Sequence, residues 1–149
     1  GVDGCNATDG DTCLRVISGV GTPLLWWAAL IAIVIGLGLW WLGRDWRFAI
    51  PLVAGLTPWL MWFPNADRPL FFFYAIMIIP FSCTILAMAL GKLLGPRDHN
   101  PKRWLKAMGV GIIIAVILWN FAFIYPILTA DLLTRPEWLM RMWLGNAWI

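Results

Sequence analysis

The sequence predicts an all-α, polytopic membrane protein: four transmembrane helices followed by a short C-terminal helix lying in the interface. Three observations carry that prediction. Four long apolar runs, Pro23 to Leu42, Phe48 to Phe63, Pro69 to Leu90 and Ala107 to Leu128, leave almost every charge between or outside them. Of 149 residues, 61% are hydrophobic and 13% charged, which is about half the charged share of a soluble domain. Ala28 to Leu39 is apolar all round, with no polar face to turn toward water.

The elements follow in order. Residues 1–22 are polar and form an external segment; they lack the basic start and short apolar stretch of a signal peptide. With no Met at position 1, the chain is expected to be cut from a longer one. The first, third and fourth runs are long enough, at about 1.5 Å per residue, to cross roughly 30 Å of hydrocarbon as helices. The second is marginal, being shorter and carrying Pro51, Gly55 and Pro58. Residues 23–128 thus make one four-helix transmembrane domain. Residues 129–149 make an external tail in which Pro136 to Ile149 puts Trp138, Leu139, Met142 and Trp143 near one helical face, with Arg141 off it.

Topology follows from the Lys/Arg bias of short loops. Gly43 to Arg47 and Gly91 to Lys106 hold seven cations: Arg44, Arg47, Lys92, Arg97, Lys102, Arg103 and Lys106. The opposite side holds four, Arg15, Arg68, Arg135 and Arg141, beside six acids. Both ends of the chain are therefore placed outside a plasma membrane, with the two basic loops in the cytoplasm. The formal charge of +3 then reflects anchoring to anionic membrane lipid rather than nucleic acid, for which no motif is present. Most of the twelve tryptophans fall at span ends, as indoles do at headgroup level.

Chemistry inside the chain is sparse. His99 is the only histidine and has no Cys or His at ligand spacing, so no metal site is expected, and no Gly-rich or Walker pattern suggests a nucleotide or other cofactor. No Ser, His and Asp constellation exists, so no catalytic residue is assigned. Cys5 and Cys13 lie in the external segment, where they form either a small disulfide loop or two free thiols, while Cys83 sits alone in the third span. Asn6, Ala7 and Thr8 spell a glycosylation sequon. Asn120, deep in the fourth span, needs an interhelical partner. Asp67 and Arg68 sit at the outer turn before Phe71, Phe72, Phe73 and Tyr74; Arg68 there is either a fork for a lipid phosphate or a snorkelling anchor paired with Asp67.

The order of local signals is more specific. Gly21, Thr22, Pro23, Leu24, Leu25, Trp26 and Trp27 lead into the first span, and Thr57, Pro58 and Trp59 close the second. Arg68 and the run Phe71 to Tyr74 open the third, which contains Pro80 and Phe81. Phe123 to Pro126 end the fourth, and Trp138, Arg141, Met142, Trp143, Leu144 and Trp148 finish the tail. Over essentially the whole chain this set resembles the C-terminal four-span region of protein O-mannosyltransferases, and the Cys5 and Cys13 pair looks like the actinobacterial branch. Two positions depart from the family: Thr22 stands where a Gly-Asn-Pro sequence is common, and Phe73-Tyr74 where many eukaryotic members have Tyr-His.

The resemblance implies a membrane glycosyltransferase that moves mannose from a polyprenyl-phosphate-mannose donor to Ser or Thr hydroxyls of an exported acceptor protein. It also implies that the catalytic carboxylate lies in an N-terminal catalytic half absent from this chain, so that the fragment is inactive alone. Arg68 would then lie near the donor phosphate, and Tyr74 along the polyprenyl chain. The competing class is a non-enzymatic membrane module, such as a transporter subunit or assembly partner. Against it, intramembrane ionisable residues are nearly absent.

Overall fold

A computed structural model describes residues 13–61, 63–65, 76–97 and 101–143. Along them run β1 (Cys13–Leu14), α1 (Pro23–Trp41), α2 (Ala49–Leu60), α3 (Ile79–Leu94), α4 (Arg103–Leu128), β2 (Leu133–Thr134) and α5 (Arg135–Arg141). They group into two compact units, Leu24–Ile114 and Gly1–Pro23 with Ala115–Ile149.

Helix α1 begins at Pro23, whose missing amide and fixed φ suit a first helical position. Its 19 residues are all apolar. It stops by folding its last amides back: Leu42 N and Gly43 N donate to the Gly38 carbonyl at 2.8 and 3.4 Å, and Asp45 N to that of Leu39 at 3.1 Å. Arg44 takes the left-handed conformation, φ 52°, that turns the chain into a one-turn 3-10 helix, Trp46–Phe48.

Only 17% of the most apolar window of α1 and 11% of that of α4 is buried. Apolar helices this bare are stable only in an apolar solvent, and both are long enough to cross a membrane. The other two elements are shorter than the sequence runs suggest. Helix α2 has 12 residues and α3 has 16, so among the described residues two helices, rather than four, reach spanning length. The third run shifts: α3 starts at Ile79 and continues four residues past Leu90, carrying Lys92 on its last turn. Likewise α4 begins at Arg103, four residues before Ala107.

The core of the first unit is built from Ala32 of α1, Phe48 of the 3-10 turn, Leu52 of α2 and Ile85 of α3, each at most 2% exposed. Small residues make this packing possible. A Cβ added at Gly36 would sit 3.1 Å from Ile85 Cγ2, and one at Gly55 would sit 2.8 Å from Phe81 Cβ, closer than real carbons approach. Hydroxyls in these helices are satisfied by their own backbone. Thr57 Oγ1 donates to Val53 O at 2.6 Å, Thr84 Oγ1 to Pro80 O at 2.7 Å, and Ser82 Oγ to Ile78 O and Ile79 O, both at 3.0 Å. In hydrocarbon that arrangement removes the cost of an unmet polar group.

The second unit ties the chain before α1 to the end of α4. Strands β1 and β2 pair antiparallel, Cys13 opposite Thr134 and Leu14 opposite Leu133. Ser18 N donates to the Ile127 carbonyl at 2.9 Å. Ala130, at φ 60°, lets the chain leave α4, and Ile124, Ile127, Leu133 and Met142 form the buried cluster beneath.

Gly55→Ala is expected to destabilise the full-length protein by about 1–3 kcal/mol, because the Phe81 Cβ cannot rotate away as the end of a flexible side chain would. Gly111→Ala, where a Cβ meets nothing within 4 Å, is the control and should leave the melting temperature in detergent unchanged or raised.

Candidate functional site

Arg68 and Tyr74, the residues read from sequence as donor contacts, lie outside the described residues, as do Cys5, Asp67, His99 and the Asn6 sequon. What the structure gives is the ground on either side. Before that segment, Trp59 at the end of α2 meets Phe63 edge to face, ring centroids 4.9 Å apart. Pro58 inside α2 withholds an amide from the Ala54 carbonyl, so the helix is weakened near its C-terminal end. Cys13 is disulfide-bonded and Cys83 is a free thiol.

Around Cys13 stands a built cap. Thr134 pairs with Cys13 and also begins α5. Its backbone amide and hydroxyl both donate to Glu137 Oε2 at 3.0 Å, the reciprocal bond of a Thr-x-x-Glu helix start. Those two bonds, the backbone one first, hold the Glu137 carboxyl below its ordinary 4.5. One turn on, Arg141 closes the cap. Its Nε donates to the Phe123 carbonyl at 3.0 Å and Nη1 to the Glu137 carbonyl at 2.8 Å, and its guanidinium carbon lies 5.2 Å from the centre of the Phe123 ring.

The sequence reading set Arg141 off the buried face of a tail helix reaching Ile149. Instead α5 ends at Arg141, and the side chain turns in against α4. The reason is local. Pro126 leaves the Ala122 carbonyl without its helical donor and opens the α4 backbone one residue from Phe123, where a guanidinium can enter. Trp119 stacks on Phe123 at 5.8 Å and Trp143 lies 6.3 Å away, so the cation sits among aromatic faces. One turn below, Asn120 is fully buried, as its place in an apolar helix requires. The Thr134 to Glu137 spacing was a readable signal for the cap; the Arg141 contact had none.

A second polar cluster lies in the other unit. Lys92 Nζ and Asp45 Oδ2 are 2.6 Å apart, and Asp45 Oδ1 also accepts from the Arg47 amide at 3.4 Å. The Lys92 ammonium, chiefly, holds the Asp45 carboxyl below its ordinary 3.8. Among the described residues no group of three His, Cys, Asp or Glu side chains could hold a metal.

Against known proteins, the chain is 36% identical over 148 residues to the polyprenol-phosphate-mannose–protein mannosyltransferase of Mycolicibacterium smegmatis, covering 97% of this chain and 28% of that protein. It is 34% identical over 146 residues to the enzyme of the same name from Mycobacterium tuberculosis, covering 97% and 27%. It is 30% identical over 135 residues to that of Corynebacterium glutamicum, covering 90% and 26%. This chain is a homologue of part of those mannosyltransferases. It spans about a quarter of their length, and the resemblance read from its ordered motifs is thereby shown. No family model matches it, and no solved structure does.

Both carboxyls titrate below their ordinary values, so the stability they contribute is complete above 4.5 and 3.8 respectively and is lost as pH falls through their lower folded-state values. Hydrogen-exchange protection of residues 135–141, corrected for intrinsic rate, is expected to hold from pH 7 to 5 and fall only below 4.5. Thr134→Ala should cost that segment about 1 kcal/mol of protection at neutral pH.

Proposed function

We propose that this chain is the C-terminal membrane portion of a glycosyltransferase that moves mannose from polyprenyl-phosphate-mannose to Ser or Thr hydroxyls of exported proteins. The observation that carries the reading is the 36% identity sustained over 148 residues, which is 97% of the chain. The catalytic carboxylate belongs to the remaining part of the enzyme, and these helices wall the lipid donor's groove without acting alone.

In this reading Arg68 clamps the donor phosphate as the sugar departs and negative charge grows on the leaving group, where a fixed guanidinium acts most strongly. Tyr74, with the aromatic run before it, guides the polyprenyl chain. Cys5 is the proposed partner of Cys13: the chain has three cysteines, and Cys83 is free. The bridge would hold the external segment onto the cap of β2 and α5. Four crossings place both ends outside, and the bond from Ser18 to Ile127, which joins the start of the first span to the end of the last, supports an even number of them.

In membranes holding the full-length protein, transfer from radiolabelled polyprenyl-phosphate-mannose to a Ser/Thr-rich peptide is expected, and Arg68→Ala should lower turnover about a hundredfold. Unchanged turnover and Michaelis constant for the lipid donor would remove the clamp; absence of transfer by the intact protein would remove the enzyme. Mass analysis of a non-reduced digest should show Cys5 linked to Cys13, whereas alkylation of both without reductant would rule the bridge out.

A further inference from the structure

Two cavities in the unit Leu24–Ile114 share a lining residue, Lys92. The larger, about 550 Å³, runs between α1 and α3 and is apolar: Ala28, Ile31 and Ile35 stand on one side, Leu86, Ala89 and Leu93 on the other. The smaller, about 370 Å³, is mixed: the charged Asp45, Arg47 and Lys92 line it beside Phe48, Met88, Gly95 and Pro96. Lys106 Nζ comes 4.0 Å from where a Cβ on Gly95 would sit, so a third ammonium or guanidinium group borders the same space. Three cations meet one carboxylate there. Asp45 is committed to Lys92, which leaves an excess of two positive charges.

The dimensions decide what fits. From Ala28 to Leu39 the groove follows twelve residues of α1, roughly 16 Å at the helical rise. That is about half of the roughly 30 Å hydrocarbon core. A transmembrane helix of a partner would need a seam along the whole span, whereas one lipid chain in one leaflet needs half. The end that carries the cations has room for a headgroup: a Cβ on Gly91, which lines it, meets nothing within 4 Å.

We propose that these two cavities, which meet at Lys92, together form a binding site for one anionic phospholipid of the leaflet that faces the basic loops. One acyl chain lies between α1 and α3, and the phosphate is met by Lys92, Arg47 and Lys106. Charge complementarity selects the headgroup, and the apolar channel selects a chain rather than a soluble phosphate. The occupant bridges two helices that share a buried cluster through Ala32 and Ile85, and so fixes the end of α3 against the turn after α1.

The test uses the full-length protein, purified in mild detergent, stripped of lipid and exposed in turn to phosphatidylglycerol, phosphatidylcholine and a polyprenyl phosphate, with retained lipid counted by native mass spectrometry. One phosphatidylglycerol per chain is expected, held at least about tenfold better than phosphatidylcholine, as two or three surface cations provide. The double variant Lys92→Ala, Lys106→Ala should lose the preference and Lys92→Arg should keep it. Ala28→Trp, which fills the channel, should lose the lipid with helix content by circular dichroism unchanged. Equal retention of the two phospholipids, a preference that survives in the double variant, or displacement of phosphatidylglycerol by equimolar polyprenyl phosphate would overturn the proposal.

Discussion

The structure depends on its backbone and hydroxyl groups being satisfied within each helix, because the side chains of α1 and α4 present hydrocarbon outward over nearly their whole length. An unmet amide or hydroxyl there costs several kcal/mol in lipid, where no water can replace the missing partner. The serines and threonines of α2 and α3 accordingly bond back to carbonyls three or four residues earlier. The ends follow the same rule: α1 folds three amides onto Gly38 and Leu39, and α4 is released through a left-handed Ala130 into a strand pair. Proline is admitted in α4 at Pro126, and the Arg141 guanidinium bonds the Phe123 carbonyl beside the one that Pro126 frees.

The two compact units differ in chemistry. One carries the disulfide-bonded Cys13, the two-residue ladder and a capped helix, a small ordered cap made of pieces distant in sequence. The other carries short turns crowded with cations, of which Asp45 organises two, pairing with Lys92 and capping the turn through Arg47.

Much of the fold was legible in the sequence because burial in lipid needs no periodicity: long uncharged runs suffice, and α1 and the end of α4 fall where they were expected. The limits of α3 were not legible. Lys92 is charged and so was assigned to a loop, yet its long stem lets the last helical turn extend past the apolar run while the ammonium reaches Asp45. Arg141 was misplaced for a related reason. Helical spacing assigns a face to a residue, but a guanidinium is drawn by an available carbonyl and an aromatic ring contributed from eighteen residues away. The family was legible from ordered motifs alone, and the proposed donor contacts Arg68 and Tyr74 rest on that resemblance, since they lie outside the described residues.

The most direct measurement of the account is on which side of the membrane each end stands. In intact cells making the full-length protein with Cys83→Ala, single cysteines introduced by Arg135→Cys on α5 and Arg97→Cys after α3 would be exposed to a membrane-impermeant maleimide. Labelling at 135 in intact cells, and at 97 only after the membrane is opened, is the predicted result. Labelling of both from the same side, or the reverse pattern, would contradict the placement of the cap outside and the basic turns within.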